Sequence, residues 1–95
     1  MEGATIVVKN LGDENLEKAV CESLATATRR YAGWIIRVMG ADNNDIWVVS
    51  VESPSGKKSQ NELTLHDNQT PQRVAQNVID QIAVVEAAGL PKSRL

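Results

Sequence analysis

The densest run of oxygen-bearing side chains is Asp42, Asn43, Asn44 and Asp45, inside the stretch GWIIRVMGADNNDIWVVSVESPSGKK. Carboxylate and amide oxygens gathered this closely are the donors a hard cation such as calcium takes. The spacing departs from an EF-hand loop, which needs an oxygen ligand at 46, a glycine at 47 and a glutamate at 53, where the chain has Ile46, Trp47 and Ser53. The same residue types tolerate turn geometry, so a hairpin turn is their expected role. His66 followed by Asp67 has the types of an oriented general base, and Cys21 those of a nucleophile. Adjacent residues at a strand end point to opposite sides, however, so His66 reads as a solvated strand-end histidine. Cys21 lies beside a helical apolar stripe, where a lone thiol is a small hydrophobe. One cysteine and one histidine exclude an internal disulfide and the usual cysteine-rich or multi-histidine metal sites. No GxxxxGK[ST] or GxGxxG occurs, and Asp13 after Gly12 puts a carboxylate where a phosphate would sit. The pairs Glu14 with Glu17 and Glu62 with Asp67 carry no flanking cleft signature and read as solvated faces. No residue is assigned a catalytic, metal or cofactor role, and the chain is expected not to be an enzyme.

The elements that would position any other kind of site are legible in the patterning. Residues 4 to 9, ATIVVK, are a β-branched run between Gly3 and the turn residues Asn10 and Gly12, which predicts a strand. Asp13 can cap a helix with Glu14 and Glu17 in its first turn. The stripe Leu16, Val20, Ser23, Leu24, Ala27 and Tyr31 extends that helix to Arg29 and Arg30 in its last turn, with Gly33 as the stop. Two alternating runs follow, 33–39 and 46–51, joined by GADNND as an antiparallel hairpin. Pro54 and Gly56 of SPSG predict a second hairpin, whose returning strand includes Leu63 and Leu65. Thr70 and Pro71 then start a helix with the stripe Val74, Ala75, Val78, Ile79, Ile82 and Val85, ended by Gly89 and Pro91. The 95 residues make one domain, with an ordered core over about 4–88 and a flexible tail at 90–95. The expected class is α+β in β-α-β-β-β-α order: a mainly antiparallel three- to four-stranded sheet with two helices packed on one face.

Two helices cover one sheet face, and the side with Trp34, Ile36, Val38, Trp47, Val49, Val51, Leu63 and Leu65 supplies it. The other side still presents Ile35, Met39, Ile46, Val48 and Val7, ringed by Arg37, Ser50, Glu52, Glu62, Thr64 and His66. A patch of that kind, on the order of a few hundred Å², is the size at which partners are expected. The simplest cover is a second copy of the chain, since two-fold homo-oligomers are the commonest assemblies. The expected interface residues are Ile35, Arg37, Met39, Ile46 and Val48. The competing covers are the chain's own N-terminal strand or tail, or a ligand.

The order helix, three antiparallel strands, helix over residues 13 to 88 resembles in topology the double-stranded RNA-binding domains. Three strands followed by a helix also resembles small DNA-binding domains that lay a sheet in the major groove. A sheet-based nucleic-acid binder would make its contacts from Arg37, Lys57, Lys58 and Arg73; the RNA-binding family's basic cluster would fall on TPQRVAQN, where Arg73 is the one positive residue. Ten basic against twelve acidic residues give a net charge of -2, which disfavours a nucleic-acid partner whose affinity comes from phosphate neutralisation. A third reading is a small-molecule cleft between helix and sheet near Trp34, Trp47 and Tyr31. No apolar run exceeds four residues, so no membrane segment is expected. A start of MEGATIVVKN without a basic region and long apolar block points to the cytoplasm.

Overall fold

A computed structural model describes residues 3–41, 44–64 and 66–88 of the chain. The β-branched run near the N-terminus forms β1 (Thr5–Lys9), and Asp13 then caps α1 (Glu14–Ala27). The cap is a direct one: Asp13 Oδ1 accepts hydrogen bonds from the amides of Asn15 at 2.8 Å and Leu16 at 3.4 Å. Glu17 Oε2 reaches back to accept from the amide of Leu11 at 3.0 Å, so the first turn of the helix also holds the loop entering it.

The end of α1 corrects the sequence expectation. The helix stops at Ala27 with Thr28 as its cap, so Arg29 and Arg30 lie beyond it and Gly33 does not terminate it. Thr28 is fully buried, and its hydroxyl donates to the Leu24 carbonyl at 2.7 Å, as does its amide at 2.9 Å. The chain then turns back, the Tyr31 amide donating a hydrogen bond to the Thr28 carbonyl and the Trp34 amide to the Tyr31 carbonyl. Gly33 serves in that turn, with a positive φ of 88° and Pro54 packed where a side chain would be.

Three strands follow: β2 (Ile35–Ala41), β3 (Asn44–Glu52) and β4 (Lys58–Leu63). The Pro54–Gly56 turn closes the second hairpin, with the Ser53 amide donating to the Lys57 carbonyl at 2.8 Å and the Gly56 amide to the Ser53 carbonyl at 2.9 Å. A short 3-10 turn, His66–Asn68, leads into α2 (Pro71–Ala88), where the Thr70 hydroxyl accepts from the Arg73 amide at 3.2 Å. The turn residues Asp42 and Asn43, Leu65, the helix stops Gly89 and Pro91, and the tail 90–95 lie outside the described residues.

The order is therefore β-α-β-β-β-α, an α+β fold with one four-stranded sheet of spatial order β1-β2-β3-β4. Strand β1 runs parallel to β2, as a helical crossover requires, and the two hairpins are antiparallel. Both helices pack on one face, where Val20, Leu24, Val74, Val78, Ile82 and Val85 meet Trp34, Ile36, Val38, Trp47, Val49 and Val51. No described helix is long and apolar enough to cross a membrane.

Candidate functional site: the open sheet face

Strand alternation divides the sheet cleanly. Ile36, Val38, Val49 and Val51 are at most 1% exposed on the helix side, while their neighbours Ile35, Met39, Val48 and Ser50 on the far side are half-buried. The register sets the far side out in rows across the four strands. The first row is Thr5, Ile35, Glu52 and Lys58. The second is Val7, Arg37, Ser50 and Gln60. The third is Lys9, Met39, Val48 and Glu62, and Ile46 lies beyond it on β3.

All five residues expected at an interface, Ile35, Arg37, Met39, Ile46 and Val48, therefore share this face on the two central strands. Val7 joins them from β1. Apolar groups fill the middle of the third row, Ile35 sits beside Glu52 in the middle of the first, and Arg37 sits beside Ser50 in the middle of the second. Its guanidinium lies 3.5 Å from Glu52, diagonal to it on the neighbouring strand, with the two side chains 46% and 26% exposed. That exposure puts the pair among surface ion pairs worth about 0–1 kcal/mol, so it neutralises the centre of the face more than it stabilises the fold. Among the described residues, nothing packs over this side of the sheet. Strand β1 lies beside β2 within the sheet and does not fold across it.

The residues expected to contact nucleic acid are not gathered in one place. Arg37 and Lys58 are on the open face with Glu52 beside both. Lys57 is in the β3–β4 turn, its amide donating to the Ser53 hydroxyl at 3.0 Å, and Arg73 opens α2 in the helix layer. The aromatic cleft is similarly divided. Trp34 lines an open cleft of about 560 Å³ with Pro54, Lys57, Val85 and Glu86. Tyr31 meets Trp34 edge-on, with centroids 6.0 Å apart, whereas Trp47 is buried in the core. Among the described residues, no three of His, Cys, Asp and Glu come together in a way that could hold a metal ion. Cys21 is half-buried on α1.

Two features were missing from the sequence reading. The Arg37 to Glu52 pair depends on the β2–β3 register, which a hydrophobic pattern does not specify to the residue. Gln81 is the other: it is 2% exposed, and its Nε2 donates to the Val49 carbonyl at 2.9 Å and to Asn77 Oδ1 at 2.7 Å, while its Oε1 is buried and has no partner among the described residues. The available signal was its position seven residues after Val74 and four before Val85, which places it on the buried stripe of α2.

The geometry defines a two-layer α+β module with helices on one sheet face and a mixed apolar and charged surface on the other. Compared with protein-family models, curated proteins and solved structures, the chain matches none.

Proposed function

We propose that the protein is a small cytoplasmic binding module, without catalytic activity, that pairs with a second copy of itself through the open sheet face. The observation that carries this reading is the convergence of Val7, Ile35, Met39, Ile46 and Val48 on the side opposite both helices. Four strands spaced about 4.8 Å apart and about six residues long make a face on the order of 400 Å², so two copies would cover roughly 800 Å², below the range of stable specific interfaces and in that of weak, transient ones. A little over half of that being apolar, at about 25 cal/mol per Å², gives on the order of 10 kcal/mol before association costs of about 4–15 kcal/mol. With association costs at the lower end of that range the complex is weak, with a dissociation constant on the order of 100 μM, equivalent to about -5.5 kcal/mol.

Sedimentation of the purified chain over a concentration series tests the reading. The wild type is expected to move from monomer to dimer as concentration rises. Val48→Asp, which sets a carboxylate in the middle of the face without touching the core, is expected to remain monomeric with an unchanged circular dichroism spectrum. A wild type that stays monomeric at about ten times the expected dissociation constant, where most chains should be paired, overturns the proposal.

A further inference from the structure

Resting on the face-to-face pairing above, we propose that the two copies pack about a two-fold axis parallel to the strands, so that Lys9 of each copy meets Glu62 of the partner subunit. The third row supplies the argument. It runs from a cation on the β1 edge, Lys9, through Met39 and Val48 to an anion on the β4 edge, Glu62, and both charged residues are exposed. A two-fold axis along the strands, between β2 and β3, keeps each row over itself and exchanges β1 with β4 and β2 with β3. Lys9 then faces Glu62, Met39 faces Val48, and Arg37 faces the uncharged Ser50.

The other aligned arrangement places the axis across the strands through the second row. It sets Arg37 directly against its own copy and Val48 against Glu52, which brings like charges together in the middle of the contact and desolvates a carboxylate on an apolar group. The axis along the strands also leaves a carboxylate on an apolar group, Glu52 over Ile35, but it keeps Arg37 off its own copy and over Ser50. It also suits the shape of twisted sheets, which pack face to face at about 30° and diverge at their corners. Long Lys and Glu side chains at the edges can span that divergence, with the shorter apolar groups at the centre.

The test is a charge exchange between two exposed residues that takes no part in the core. Lys9→Glu and Glu62→Lys each create two like-charge contacts per dimer, and each is expected to weaken self-association by about tenfold or more. The double variant restores both contacts and is expected to return to within about threefold of wild type. An equimolar mixture of the two single variants is the sharper readout, because a heterodimer of one with the other regains both opposite-charge contacts. Coupling within one chain is negligible, since three strand spacings put Lys9 and Glu62 about 14 Å apart, beyond the screening length of about 8 Å. If the wild type and not Val48→Asp dimerises, but the mixture fails to associate, the axis is wrong while the face pairing stands. Rescue by Lys58→Glu with Glu62→Lys instead would identify the crossed arrangement. A wild type that never dimerises removes the face pairing and this inference with it.

Discussion

Gly40 sits on the helix side of β2 at the bulge where the register slips between Met39 and Ala41, and the loop leaving β1 crosses directly over it. A Cβ built there would overlap the backbone carbonyl of Asn10, which is held in the left-handed region at φ 62° and is not a flexible side-chain end that could move aside. The absence of a side chain is thus what lets the β1–α1 connection lie against the sheet. Gly40→Ala is expected to cost about 1–3 kcal/mol by overpacking, seen as a lower urea midpoint with an unchanged slope. An unchanged midpoint would mean that the loop is free to lift from β2.

The same close approach was not visible in the sequence, where Gly40 reads as one of several turn residues in GADNND. What was visible at residue scale was alternation. It assigned Ile35, Arg37 and Met39, and Ile46 and Val48, to one face because a strand has no other way to place them. It did not reveal the ion pair from Arg37 to Glu52, or that Lys9 and Glu62 end the same row, since both depend on which residues of separate strands lie side by side.

At the scale of elements, signals carried by neighbouring residues were readable and those depending on tertiary contacts were not. The Asp13 cap is local: its carboxylate satisfies two amides of the first turn of α1, and Glu17 ties the preceding loop to it. Asp13→Ala is expected to cost about 1 kcal/mol, and Asp13→Asn much less, by thermal or urea unfolding. Equal losses for the two would show that charge at the helix start matters more than the capping hydrogen bonds. The other end of α1 illustrates the limit. The apolar spacing continues to Tyr31, but the buried Thr28 hydroxyl competes for the Leu24 carbonyl and Tyr31 leaves the helix to meet Trp34 edge-on. The partner of β1 is equally non-local: the run TIVVK announces a strand, yet nothing in it states that β2 will pair with it in parallel. Gln81 is legible as a position on the buried stripe of α2, but its hydrogen bond to Val49 needs the packed helix and sheet together.

For the whole molecule, the two layers account for one apolar sheet surface and leave the other, so the proposed self-association would be linked to stability. A ligand that binds only the folded state raises apparent stability in proportion to the logarithm of its concentration, and under the proposed pairing that ligand is a second copy of the chain. With total chain at about ten times the dissociation constant, free chain is about twice it and the gain is about 1 kcal/mol. For a domain of roughly this size, about 1 kcal/mol moves the melting midpoint by about 4–8 °C. The midpoint of the wild type is therefore expected to climb by several degrees between dilute and concentrated samples, while that of Val48→Asp stays fixed. Calorimetry at matched concentrations separates this from any direct effect of the substitution on the fold, because a folding defect lowers the midpoint equally at every concentration. Parallel curves for the two proteins would mean that the open face is satisfied by water alone.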